Sequence, residues 1–295
     1  MTIDWTLLAL DVAGASLFGL VIFHAVGWFY HYRYYVKRRD EAAEWKCQPE
    51  RFLPPKLHRQ AIWLASANMT IGGVITGIFV YAIQMGLPTR LYFDVGEMGW
   101  TYTILSAVGY FLIVDAGAYY VHRALHFKPL FKRIHRHHHR YVATTPFAAV
   151  AMHPVELMSL QAAAFAAIFV VPLHPAVIGV VMIYILIWNI VDHSGVKLDS
   201  IIAWQPPSAY HDDHHVHFHV HFGQPLMLWD RIHGTLRVAG RQYGKDIFGG
   251  RGVPMPAGAR VKDDGFSGYR AGGKLRRDSA DGDRPATASE LAIES

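Results

Sequence analysis

With 295 residues, 52% of them hydrophobic and 17% charged, the chain has the length of one large soluble domain or of a small polytopic membrane protein. Charge placement favours the second: 15 of the 51 charged residues lie between Gly249 and Ser295, and the 36 spread over the other 248 are too few to cover a soluble globule of that size. A single cysteine, Cys47, excludes a disulfide framework, a cysteine-held iron–sulfur cluster and a four-thiolate zinc site, while the net charge of +5 raises a nucleic-acid reading that depends on where the cations sit.

The first predicted element is a helix over Trp5 to Tyr30, whose only charge is Asp11. It lacks a basic leading segment and a small-residue cleavage site, so it reads as a retained helix and not as a removed signal. Ala61 to Thr89 holds no Lys, Arg, Asp or Glu, and Met98 to His122 holds only Asp115. All three stretches are long enough to cross a bilayer, which takes roughly 20 apolar residues. Leu157 to Val191 is also uncharged but is broken by Val171-Pro-Leu-His-Pro175, since prolines end one helix and start another. Arms of about 15 residues reach roughly 23 Å, against a hydrocarbon core of about 30 Å. The expectation is a helical hairpin over 157–191 that barely spans or dips in and returns, bringing His193 back to the side where the hairpin began.

Orientation follows from the cations. Arg33 to Arg59 carries eight Lys or Arg and Arg123 to Arg140 carries six, whereas the first five residues carry none and Arg90 to Glu97 carries one. The positive-inside rule places the amino terminus outside or in a lumen, and both basic segments, the histidine clusters and the C-terminus in the cytosol. The membrane would be the endoplasmic reticulum in a eukaryote or the inner membrane in a bacterium. Since the cations mark a membrane side, no nucleic-acid partner is expected. From Gly249 on, nine Gly and three Pro with mixed charge predict a disordered tail. The fold expected is all-α and polytopic: N-terminal transmembrane helices and a basic loop over 1–100, a catalytic domain over 101–240 with the third span, the hairpin and a histidine-rich cap, and the tail over 249–295.

Of 19 histidines, 15 fall between His122 and His221. His122-Arg-Ala-Leu-His126 sets two imidazoles at i and i+4 on one helical face, as two ligands of one metal require. His135-Arg-His-His138-His139 puts positions 135, 138 and 139 on a shared face and turns His137 away, and His211-Asp-Asp-His214-His215 repeats that spacing. Eight imidazoles converging at one membrane edge are too many for one ion and suit two. His193, at the end of the hairpin, arrives at the same edge as a ninth candidate ligand. The bland alternative is a solvated histidine-rich surface. Asp115, His153, Asn189 and His217 are candidates to support the ligands from outside. Asp115 reads equally as a buried group paired with another helix, His153 as a helix-entry residue and Asn189 as a buried amide. His215 to Phe222 alternates strictly, so if extended it would set His217, His219 and His221 on the face of His215. His24, His31 and His58 read as interfacial, and His174 as structural in the hairpin turn.

Imidazole alone does not choose among zinc, copper, iron and nickel. At a membrane edge the substrate at hand is a long apolar lipid, whose C–H bonds yield only to a strong oxidant, and hydrolytic metal pairs would show bridging carboxylates. Acidic residues near the clusters are scarce in the sequence, with only Asp212 and Asp213 inside one. The reading that uses every cluster is an all-nitrogen pair of iron ions that activates molecular oxygen. A metal transporter or sensor is the rival from another class, but it needs ligands near the midplane and a polar path across. The spans offer little beyond Asp11, Asp115 and a few amides.

These residues resemble the membrane-bound histidine-box oxidases of the sterol desaturase and fatty acid hydroxylase superfamily, most closely its sterol C-5 desaturase branch. The likeness runs in detail from Tyr119 to Arg237. The three histidine boxes mark the superfamily, and Thr145-Pro-Phe-Ala148, His153-Pro154, Pro172-Leu-His174, Phe222-Gly-Gln224 and Leu228-Trp-Asp-Arg231 point to the branch. The resemblance implies that His122, His126, His135, His138, His139, His211, His214 and His215 are catalytic iron ligands, with His193 completing the site. It implies a sterol or other lipid as substrate, oxygen as co-substrate, and electrons passed singly from NAD(P)H through an external cytochrome b5 or ferredoxin-type carrier. Introduction of a ring double bond is the expected reaction; hydroxylation or C-4 methyl oxidation on the same scaffold is the alternative. His219 and His221 stand where such relatives more usually carry an acidic residue and an Asn.

Overall fold

The computed structural model describes residues 2–200, 202 and 204–255, so the expected tail from 256 onward lies outside the described residues. Helix α1 (Trp5–Tyr30) starts where the Asp4 carboxylate accepts from the backbone N–H groups of Thr6 and Leu7, both at 3.0 Å, and it continues through a wide turn over His31–Val36. Helix α2 (Pro55–Gln84) begins on a proline, whose ring suits the first helical position. The two cross closely because Gly73 and Gly77, one turn apart, offer no side chain. A Cβ at either would lie 2.4 Å from the Cα of Ser16 or Val12. Small residues four apart are how helices approach where no water drives them together.

Helix α3 (Gly99–Leu125) crosses next, followed by the short α4 (Lys128–Arg133). The hairpin comprises α5 (Pro154–Ala166), extended by one tight turn to Phe169, and α6 (Pro175–Asp192). Each arm starts on its proline, and the imidazole before it, His153 or His174, accepts the N–H of Val155 or Ala176 at 3.2 Å. Four helices are long and apolar enough to cross a membrane: Trp5–Val36, Pro55–Gln84, Gly99–Leu125 and Pro175–Asp192. The chain is a multi-pass membrane protein.

This sharpens the expectation of three spans plus a hairpin. The second arm reaches span length at 18 residues; the first, Pro154–Phe169, does not. Nor does the hairpin stop halfway. Its turn bonds to the loop between α2 and α3, with Arg90 N–H donating to the Ile168 carbonyl at 2.8 Å and Tyr92 N–H to that of Leu173 at 3.2 Å. The hairpin therefore reaches the same depth as the ends of α2 and α3.

At the opposite end, α7 (Ala209–His217) and α8 (Leu228–His233) form a cap with the segments that carry the other histidines. The basic segment 33–59 packs against it. Tyr35, Trp45 and Val196 share a small core, and Gln48 Nε2 donates to the Val142 carbonyl at 2.8 Å and to Asp212 Oδ2 at 3.1 Å. The expected start of disorder at Gly249 is too early. Strand β1 (Arg241–Gln242) pairs antiparallel with β2 (Val253–Pro254), and the return is made by Gly250 and Gly252 at φ +82° and +64°.

Candidate metal centre

The last turn of α3 presents His122 and stops at His126. A tight turn over His135–His137 after α4 presents His135, His138 and His139, α7 presents His211, His214 and His215, and His193 closes α6. All nine side chains are buried, and their nitrogens sort into two groups. One holds His122, His126, His135, His139 and His214; the other holds His138, His193, His211 and His215. Within each group one nitrogen per residue lies within 4.8 Å of every other. The eight histidines singled out by spacing and His193, reached through the hairpin's return, are the nine the fold brings together, five and four.

Outer contacts fix how the rings face. His122 Nδ1–H donates to the Phe222 carbonyl at 2.8 Å and His214 Nδ1–H to that of Val220 at 2.5 Å. His135 Nδ1–H donates to Glu156 Oε1 at 2.7 Å. His193 Nδ1–H faces Asp192 Oδ1 at 2.6 Å and the Asn189 carbonyl at 2.8 Å. A proton held on Nδ1 leaves Nε2 as a lone pair pointing inward, the arrangement that ligating imidazoles use. The inner nitrogens then meet one another: His139 Nε2 with those of His214 and His126 at 3.1 and 3.2 Å, His193 Nε2 with those of His211 and His138 at 3.0 and 3.2 Å.

Those separations test whether metal ions fit. Two imidazole nitrogens each bonded at about 2.1 Å to one ion, at right angles, stand about 3.0 Å apart. Further, His135 Nε2, Nδ1 of His138, His139 and His211, and both nitrogens of His215 are buried with no hydrogen-bond partner. Burying so many unpaired polar atoms is costly, and an ion in each group would satisfy those that face inward. Burial first, and the neighbouring imidazoles after it, holds His126, His138, His139, His211, His214 and His215 well below the ordinary imidazole value and takes His135 down to about 3. They are neutral at pH 7, as ligands must be.

Several residues that order the site escaped the sequence reading. Glu156 and Asp192 add carboxylates at the clusters, where the sequence suggested such residues are scarce, yet each bonds the outer edge of a ring and bridges no ligand nitrogens. Asp192 stood next to His193 in the sequence; Glu156 was visible only as the charge just before an apolar arm. Asp230, fully buried, gathers four donors: Tyr210 Oη, the N–H groups of Phe222 and Gly223, and Thr235 Oγ1. It thereby holds the loop whose Phe222 carbonyl steers His122. Gly223 is required there, since a Cβ would sit 2.3 Å from the Leu226 carbonyl oxygen.

The supporting roles expected of other residues are corrected. Asp115 accepts from Trp229 Nε1 at 2.6 Å, not from an imidazole, because α8 lies against that face of α3. His153 caps α5, and its nearest ring is the half-buried His137, with centroids 5.7 Å apart. Asn189 acts through its backbone carbonyl, while its side-chain oxygen lies buried without a partner. His217 pairs with Asp213 at 3.3 Å, away from the nitrogen groups. The alternating segment is not extended: α7 runs to His217, and Phe218 and His221 take φ of 64° and 55°. This turn brings His219 Nδ1 within 3.2 Å of His126 Nδ1 and stacks His221 on Tyr210.

A narrow cavity between α3, α5 and α6 opens onto the groups. Ala118, Leu125, Met152, Leu160 and Phe222 line it beside His122, His135 and His138, with Glu156, Asn189 and Gln224 as its other polar members.

A membrane bundle capped by two groups of buried imidazoles, with a narrow cavity leading to them, defines the class to which the comparisons assign the chain. The fatty acid hydroxylase family model matches residues 107–235. Lathosterol oxidase of Mus musculus is 32% identical over 200 residues and that of Homo sapiens 33% over 202, each alignment covering 66% of this chain and 66% of the relative. A Delta(7)-sterol 5(6)-desaturase of Aspergillus fumigatus is 31% identical over 193 residues, covering 64% of this chain and 57% of the relative. No solved structure matches. The chain belongs to the sterol desaturase and fatty acid hydroxylase superfamily, close to the C-5 desaturases.

Proposed function

We propose that this chain is an oxygen-dependent oxidoreductase that introduces a ring double bond into a sterol, in the manner of a C-5 desaturase. The observation that carries the reading is the division of nine buried histidines into two groups beside a narrow cavity. The relatives' names, lathosterol oxidase and Delta(7)-sterol 5(6)-desaturase, supply the substrate class and the bond.

His122, His126, His135, His139 and His214 would hold one iron, and His138, His193, His211 and His215 the other. Bound there, iron supplies the oxidising power that an unactivated C–H bond demands, drawing on oxygen and two electrons. The overall change balances as one CH–CH unit, one oxygen molecule, two electrons and two protons giving one C=C unit and two waters. The chain's own groups position the reactants. Leu125, Met152, Leu160 and Phe222 would guide the reacting carbon toward His122, His135 and His138, which line the same narrow cavity. Glu156, Asp192 and the Phe222 and Val220 carbonyls keep the ligand rings from turning. No flavin or nicotinamide site is needed in this reading, since electrons arrive from NAD(P)H through a separate cytochrome b5 or ferredoxin-type carrier docking on the basic, cytosolic face.

The test is expression in cells of defined sterol content, with His138→Ala as control, followed by lipid mass analysis. Loss of two hydrogens from a sterol, absent in the control, is the expected result. Gain of one oxygen instead would transfer the assignment to hydroxylation, and an unchanged lipid profile in a well-expressed, donor-supplied sample would refute it.

A further inference from the structure

Away from the histidines, the start of α2 and the second histidine segment flank an open groove of about 440 Å³. Lys56, Arg59, Gln60 and Trp63 line one wall, and Arg140 and Tyr141 the other; none of the lining residues is acidic. Positions 56, 59, 60 and 63 fall at i, i+3, i+4 and i+7, so they form a single stripe on α2. Its cations lie at the helix start and Trp63, 75% exposed, about 10 Å further along. A cation-to-tryptophan gradient of that length along a membrane-crossing helix matches the passage from headgroup to hydrocarbon. Tyr141 is wholly buried in the core beneath, and the Arg140 guanidinium lies 5.8 Å from its ring centroid. Three cations with no acidic neighbour among the lining residues call for a ligand with acceptor oxygens.

We infer that this groove is a binding site for an anionic phospholipid, whose phosphodiester meets Arg59, Arg140 and Lys56 and whose acyl chain descends along Trp63 and Leu64. Basic pockets beside membrane helices bind anionic headgroups in this way. The site is separate from the substrate cavity, and Arg140 and Tyr141 directly follow His139, so the lipid would brace the segment that carries the second histidine box. An acidic electron-donor protein is the competing occupant. The pocket disfavours it: Trp63 would be left against protein or water, and the apolar continuation of the stripe would go unused.

The test uses the full-length protein in nanodiscs of phosphatidylcholine doped with phosphatidylglycerol carrying brominated acyl chains, and reads quenching of the Trp63 fluorescence as the difference between wild type and Trp63→Phe. Each cation near a headgroup contributes roughly a fivefold preference, so Arg59→Gln with Arg140→Gln should lower the preference for phosphatidylglycerol about 30-fold. Unchanged melting and metal content in the double variant would show that its fold is intact. Equal quenching by brominated phosphatidylcholine, or a preference that survives the double variant, would overturn the site. Full displacement of the lipid by millimolar inorganic phosphate would make it a phosphate site and overturn the lipid. Normal lipid preference in the double variant with a raised KM for the donor protein would assign the surface to the donor.

Discussion

Asp230 offers the sharpest test of how the cap holds its ligands. Its Oδ2 accepts from Tyr210 Oη and Gly223 N–H, both at 2.7 Å, and its Oδ1 from Thr235 Oγ1 at 2.6 Å and Phe222 N–H at 2.9 Å. Each oxygen thus faces one hydroxyl and one backbone N–H. In Asp230→Asn one oxygen becomes an NH2. The hydroxyl on that side can rotate to accept, but the backbone N–H cannot, so Phe222 or Gly223 is left facing a donor. A stranded buried N–H costs about 1–3 kcal/mol, and the remaining bonds lose the charge that strengthens them, for a total of about 3–5 kcal/mol. That is on the order of 10 °C in melting temperature for a unit of this size. Because the Phe222 carbonyl orients His122, metal retention should fall by about tenfold or more. Thr235→Val, which removes a single hydroxyl, should cost about 1 kcal/mol. The assay is thermal unfolding of the detergent-purified variants with metal analysis on the same samples. Wild-type melting and metal content in Asp230→Asn would refute the claim that this carboxylate organises the site.

Glu156→Ala removes the acceptor that orients His135, and metal affinity should fall about 10- to 100-fold while the protein still folds; a chelator titration reads this directly. Burial pushes the His221 imidazole down to about 4, so the unfolded chain takes up its proton first as pH falls. Stability should therefore decline from about pH 6.5 toward pH 4, with about 2 kcal/mol of the loss by pH 5 traceable to this residue, and His221→Gln should flatten the melting-versus-pH curve over that window. At the α1–α2 crossing, Gly77→Val forces a side chain into the backbone of Val12 and should abolish stable expression, whereas Gly14→Ala, which has nothing within 4 Å of the added carbon, should be neutral; expression in membranes by fluorescence-detected gel filtration compares them.

The histidine boxes could be read in the sequence because each is local. Positions at i, i+3 and i+4 share a face whatever surrounds them, and charge-free stretches of span length fix which ends meet. His193 was reachable by the same topology, since a hairpin returns to its own side. What stayed hidden was long-range. Glu156 reaches His135 across 21 residues, His219 reaches His126 across 93, and nothing in periodicity records either approach. Asp115 misled because its position on the histidine face of α3 was plain while α8, which supplies Trp229 114 residues later, was not. The alternation from His215 to Phe222 imitated a strand because histidines on a helix end and on the turn after it happen to fall two apart.

The central claim is that the two histidine groups are two iron sites. Elemental and Mössbauer analysis of the purified, iron-supplied protein measures it most directly. The expected result is about two iron ions per chain in nitrogen-rich environments, one for each group, falling to about one when His193→Ala opens the smaller group. A fully active preparation holding zinc, or at most one iron, or two irons that survive substitution in both groups, would contradict the account.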